Sequence, residues 1–72
     1  MNREEFLNNI ADALQTEESL SFDTVLDGLD EWDSLSKMAV LAFLNKNFDA
    51  KLTFSDFKSI STIEDLAKKA GV

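Results

Sequence analysis

Apolar side chains recur along this chain in blocks whose spacing changes from one block to the next. In the first, Phe6, Ile10 and Leu14 stand four apart, with Leu7 and Ala13 widening the stripe, which is the period of an amphipathic helix. The pattern predicts a helix over about residues 3–16, capped by Asn2, with Glu4 and Glu5 in a first turn where the helix dipole favours negative charge. Further on, Met38 to Leu44 reads MAVLAFL, an unbroken apolar run that by itself fits a buried strand or a buried helix. Composition decides between them: Met, Ala and Leu are strong helix formers, Val40 is the one β-branched member, and no second strand-like run exists to pair with it. With Leu35 and Phe48 included, a helix is expected over about 34–48.

Two shorter blocks follow. Phe54, Phe57 and Ile60 stand three apart, which suits one or two helical turns with Thr53 as a cap. Ile63, Leu66, Ala67 and Ala70 form a last helical stripe, with Lys68 and Lys69 suited to the negative end of its dipole and Gly71 to its stop. Ser61 with Glu64, or Thr62 with Asp65, can supply its capping box. Between the first two helices, residues 17–33 read EESLSFDTVLDGLDEWD. This stretch is a long loop tied to the core by Leu20, Phe22, Val25, Leu26, Leu29 and Trp32, with room for a short helical turn around Val25 to Leu29. A connection of this length inside a small domain tends to be functional. The expectation is an all-α, four-helix bundle with a short third helix, residues 1–72 forming a single domain.

Charge changes the picture in one segment. The chain of 72 residues carries a net charge of −7, but residues 17–33 alone hold seven acids and no base, while residues 34–72 are net positive by two. No basic stripe is available for a phosphate backbone, so nucleic acid is not an expected partner. A chain of this size buries only about 60% of the surface its unfolded form exposes, and with no cysteine it has neither a disulfide nor a thiolate metal site to reinforce it. No apolar stretch approaches the roughly 20 residues needed to span a bilayer, and the first residues lack the pattern of a secretory signal, so a cytoplasmic monomer without membrane insertion is expected.

The absence of His, Cys and Tyr removes the groups most used for proton transfer near neutral pH, and no catalytic residue is expected. Ser34 and Lys37 have the spacing of a serine–lysine hydrolase pair, but that chemistry needs an oxyanion hole and a substrate pocket that so small a chain can hardly supply. DTVLDGLDEWDS fails as a calcium loop. With Gly28 at its sixth position, Val25 stands where an oxygen ligand is needed and Ser34 where the bidentate Glu belongs. No metal site is expected, beyond weak divalent binding to the clustered acids.

Ser34 itself reads in two ways. It could cap the second helix, but that would put Lys37 at the third helical position, against the dipole. If Asp33 caps instead, Ser34 occupies the first helical position with its hydroxyl outward, and a phosphate ester there would meet free backbone N–H groups. The hydroxyl is then an attachment point that the chain need not activate.

Asp33-Ser34-Leu35 at the start of an apolar second helix, after a long loop and before a short third helix and a TIEDLAKKA last helix, resembles the acyl carrier protein family. The resemblance implies that Ser34 bears 4′-phosphopantetheine, transferred from coenzyme A by a separate magnesium-dependent phosphopantetheinyl transferase, with an acyl group held on its thiol as a thioester. It implies that Asp33 and Leu35 assist recognition by the transferase. On the second helix Leu35, Met38 and Ala42 share one stripe and Val40, Leu44 and Phe48 the opposite one. The first is similar to the exposed apolar strip by which carriers dock acyl- or aminoacyl-activating, acyl-transferring and condensing enzymes, with Lys46 beside it.

Two departures refine this. Residues 34–48 contain no acid, whereas carriers of fatty acid synthesis usually bear several on this helix, and Trp32 stands where a small residue is typical. The WDSL form is similar to discrete carriers dedicated to one lipid, modified-sugar or secondary-metabolite pathway. A peptidyl or aminoacyl carrier of the same fold remains open, as does a helical adaptor in which Ser34 merely starts a helix.

Overall fold

The computed structural model describes all 72 residues. Three α-helices, α1 (Arg3–Leu14), α2 (Ser34–Phe48) and α3 (Ile63–Ala70), are joined by segments that contain two 3₁₀ stretches, Leu26–Gly28 and Phe54–Ser59. The latter is the short third helix of a four-helix, all-α arrangement. No helix is long and apolar enough to cross a membrane.

Helix α1 starts as expected. Glu5 N–H donates to Asn2 Oδ1 at 2.7 Å, and Asn2 N–H donates back to Glu5 Oε1 at 3.3 Å, which satisfies two donors that the helix itself leaves unpaired. It ends at Leu14 rather than at residue 16, because Gln15 adopts the left-handed conformation with φ 56° and closes the last turn. The physical reason lies in the pattern: Leu14 is the last apolar residue of the stripe, and Glu17 and Glu18 offer nothing to bury.

Helix α2 spans the expected residues. Val40 and Leu44 are fully buried and Phe48 is half-buried, so this stripe is core, whereas Leu35 is 77% and Met38 55% exposed. The link that follows is held by Asn45, whose Oδ1 accepts from Leu52 N–H at 2.7 Å while its Nδ2 donates to Leu52 O at 3.1 Å.

The third helix is 3₁₀ and not α. Its apolar residues recur every third position, so a three-residue turn stacks them on one face, and Asp56 secures its start by accepting from Thr53 N–H at 2.8 Å. Phe57 and Ile60 enter the core and Phe54 stays outside. At α3 the capping box is Thr62 with Asp65: Asp65 N–H donates to Thr62 Oγ1 at 3.3 Å, and Asp65 Oδ2 accepts from the N–H groups of Ser61 at 2.9 Å and Thr62 at 3.1 Å. Glu64 is used elsewhere, in a 2.8 Å ion pair with Arg3 of α1. Gly71 ends the helix at φ 82°, where a Cβ would be strained.

The long loop is anchored by side chain and by backbone. Leu26 is fully buried, and Leu20, Phe22, Leu29 and Trp32 pack against the core. Val25 does not join them: its side chain is 53% exposed, and the residue serves through its backbone, in an isolated antiparallel bridge with Thr62. Leu26 N–H donates to Ser61 O at 2.8 Å, Ile63 N–H to Thr24 O at 3.2 Å and Glu64 N–H to Phe22 O at 2.9 Å, so the loop is fastened to the start of α3. No three of the loop acids converge on a point where a metal ion could be held.

Eleven buried apolar residues from every helix and from the loop make one core. Phe6 is at its centre, with ring centroids of Phe22, Phe43 and Phe48 at 6.3, 6.0 and 5.9 Å. Each fully buried large side chain there contributes about 1.5–3 kcal/mol relative to exposure.

Candidate functional site

The approach to α2 is a tight turn. Trp32 N–H donates to Leu29 O at 3.2 Å and Asp33 N–H to Glu31 O at 3.0 Å, and Asp33 then takes an extended backbone, φ −126°, as the N-cap. Its Oδ1 accepts from Ser36 N–H at 2.9 Å, and its own N–H donates to Ser36 Oγ at 2.9 Å. Ser36 Oγ in turn donates to Glu31 O. The chain therefore enters the helix through a closed ring of hydrogen bonds. Backbone donation from Ser36 is the main cause that holds the Asp33 carboxyl below its ordinary 3.8; partial desolvation opposes it, and the Ser36 hydroxyl and the Leu35 N–H assist.

With Asp33 as cap, Ser34 falls at the first helical position. It is exposed, and its hydroxyl makes no hydrogen bond within the chain. Lys37 does not approach it as a base would. Its side chain leans back one turn and places Nζ 5.5 Å from the Trp32 ring centroid. The hydroxyl is thus accessible and not activated, which removes the serine–lysine hydrolase arrangement and leaves Ser34 suited to modification by another protein.

A groove lies on each side of this point. On the α1 side, a groove of about 460 Å³ is lined by Ala13, Leu14, Leu35, Met38 and Ala39 with Gln15, Asp33 and Ser36. On the side of the 3₁₀ helix, a second of about 570 Å³ is lined by Lys37, Lys58, Phe54 and Phe57 with Asp27, Ser55, Ile60 and Ser61.

The residues singled out from sequence fall into two sets. Asp33, Ser34 and Leu35 are consecutive at the helix start, and Leu35, Met38 and Ala42 share one exposed face of α2, with Lys46, also exposed, in its last turn. The face is open to solvent and not covered by the loop. Sequence reasoning missed Ser36, the one buried polar residue. A serine three residues after Asp is a weak form of the capping box, but it is the signal that was present.

These residues fit a phosphorylated prosthetic group. A phosphodiester on an outward hydroxyl at the first position of a 15-residue helix meets the positive end of the dipole, and an apolar groove adjoins it. The chain matches the protein-family model described as phosphopantetheine attachment site over residues 4–69, and it belongs to that family. No curated protein and no solved structure shows a significant match. A carrier of this family holds 4′-phosphopantetheine covalently, and the group supplies a terminal thiol for carrying cargo as a thioester. Carrier domains of this kind are generally non-catalytic and interact with a phosphopantetheinyl transferase and with biosynthetic enzymes.

Proposed function

We propose that residues 1–72 act as one acyl carrier domain in which Ser34 bears the 4′-phosphopantetheine. The observation that carries this is the exposed, unpartnered Ser34 hydroxyl on a helix start fixed by Asp33 and Ser36. In the modification, Ser34 Oγ forms a bond to phosphorus as the pyrophosphate bond of coenzyme A breaks. The adenosine bisphosphate leaves, and the serine proton passes to a base on the transferase.

Asp33 and Leu35 present this turn to the transferase: Asp33 fixes its shape and stays ionised, and Leu35 supplies an apolar contact beside the hydroxyl. The exposed Leu35, Met38 and Ala42 strip, with Lys46 at its far end, docks the enzymes that load and unload the acyl group. The chain makes no bonds of its own, having no activated nucleophile and no His or Cys. The absence of acids on α2 supports a carrier dedicated to one lipid, modified-sugar or secondary-metabolite pathway, working as a cytoplasmic monomer.

Intact-mass spectrometry after incubation with coenzyme A and a broad-specificity transferase tests the reading. One phosphopantetheine should be gained by the wild type and none by Ser34→Ala. A folded wild type that gains nothing while a control carrier is modified would refute it.

A further inference from the structure

We infer that the groove between α2 and the 3₁₀ helix receives the anionic end of an acidic acyl cargo, held by Lys37 and Lys58; the inference rests on Ser34 as the attachment point.

Reach sets the frame. From Ser34 Oγ to its sulfur the prosthetic arm has about fourteen bonds, or roughly 16 Å when extended, at about 3.5 Å for every three bonds. The molecule measures 27 × 25 × 18 Å, so bound cargo must lie against the surface that surrounds Ser34. That surface offers two grooves of opposite chemistry. The one on the α1 side presents Ala13, Leu14, Leu35, Met38 and Ala39 and suits an aliphatic chain. The other presents two ammonium groups and the hydroxyls of Ser55 and Ser61 against Phe54 and Phe57.

Electrostatics assigns an anion to the second. The groove on the α1 side has one acid, Asp33, and no base, which disfavours a carboxylate, whereas the second sets Lys37 and Lys58 against the single acid Asp27. Lys46, the other cation of α2, lies twelve residues beyond Ser34, about 18 Å along the helix at 1.5 Å per residue, and lines neither groove. Lys37 and Lys58 are both free to bind, because Arg3 with Glu64 is the one ion pair in the structure.

Lys37 is also placed by its surroundings. Its Nζ lies over Trp32, Trp32 meets Phe57 edge-on at 5.5 Å, and Phe57 meets Phe54 edge-on at 6.0 Å, giving one wall of packed rings. Asp27 on the rim offsets one of the two positive charges, which leaves the groove matched to a single carboxylate.

The test loads the carrier from glutaryl-coenzyme A and, separately, pentanoyl-coenzyme A, cargos of equal carbon count that differ by a terminal carboxylate. Intact mass verifies loading, and nitrogen-15 amide spectra are recorded against the unacylated holo form. The glutaryl form should shift the amides of Phe54 to Ser61 and the Trp32 indole. Those shifts should fall about threefold in 0.5 M sodium chloride and be lost in Lys58→Gln and Lys37→Gln. The pentanoyl form should shift Ala13, Leu14, Met38 and Ala39 instead.

Identical shifts from both cargos, or glutaryl shifts that persist in Lys58→Gln, would overturn the inference and leave the carrier reading standing. Lys58 is exposed, so its variant keeps the fold, which the same spectra verify. No mass gain, with a control carrier modified, would instead remove the carrier reading and this inference together.

Discussion

Asp33 and Ser36 hold each other by two reciprocal 2.9 Å hydrogen bonds, each backbone N–H donating to the other's side chain. Ser36 is also buried, so its hydroxyl cannot be replaced by water without disturbing the turn. Ser36→Ala should therefore destabilise the fold by about 1–2 kcal/mol, measured by urea unfolding. It should also slow modification of Ser34, because the turn that presents the hydroxyl loosens. Unchanged values for both would show that the ring of hydrogen bonds at the helix start is dispensable.

Asp33 and Asp65 have carboxyls lowered from 3.8, Asp33 chiefly by the Ser36 N–H and Asp65 chiefly by the Ser61 N–H. A carboxyl whose folded value is depressed stabilises above its unfolded value, and the contribution is lost as pH falls through the folded one. The thermal midpoint should accordingly fall as pH drops below about 4. Asp33→Asn and Asp65→Asn keep a cap that does not titrate there, and each should show a shallower acid limb than the wild type.

Buried and exposed positions on α2 should separate stability from recognition. Leu44 is fully buried, and Leu44→Ala should cost about 2–5 kcal/mol, a large share of the roughly 4–10 kcal/mol expected of a chain this size. Leu35→Ala and Met38→Ala remove exposed side chains and should leave unfolding within about 0.5 kcal/mol of wild type. Phosphopantetheine transfer to Leu35→Ala should nevertheless slow, and acyl loading and unloading should slow in both variants. Normal transfer to Leu35→Ala would show that the transferase does not read this side chain, and normal acyl loading of the doubly substituted protein that the strip is not a docking face.

The loop acids make a further prediction. Since no three converge, magnesium at millimolar concentration should raise the thermal midpoint no more than sodium chloride of equal ionic strength. A larger rise with magnesium, followed by calorimetry, would reveal a divalent preference that the loop geometry does not provide.

What could be read from the sequence follows the range of the interactions. Spacings of four at Phe6, Ile10 and Leu14 and of three at Phe54, Phe57 and Ile60 report directly on local backbone period. Helix positions and the Asp33 cap were therefore legible, and the helical turns implied by the period of three are 3₁₀. The position of Ser34 and Leu35 in the first turn of α2 was legible from the same pattern. Ser36 was not, because burial of a small polar residue depends on where the preceding turn places Glu31. Likewise Glu64 was a candidate cap by spacing, and only the packing of α3 beside α1 directs it to Arg3. Val25 is apolar in sequence, but its use is a backbone bridge to a residue far along the chain.

That bridge bears on the order in which the protein assembles. The three backbone bonds that fasten the loop join Leu26 to Ser61, Thr24 to Ile63 and Phe22 to Glu64, each across a long stretch of chain. Helices form from local contacts within about a microsecond, whereas these bonds require closure of a loop that contains the whole of α2. The loop is fastened only once α3 has docked, so its amides should gain protection from hydrogen exchange last. The turn at Ser34 is held differently, by bonds that lie entirely within residues 29–36, so it can form with α2 itself and stand complete before the loop behind it is fastened.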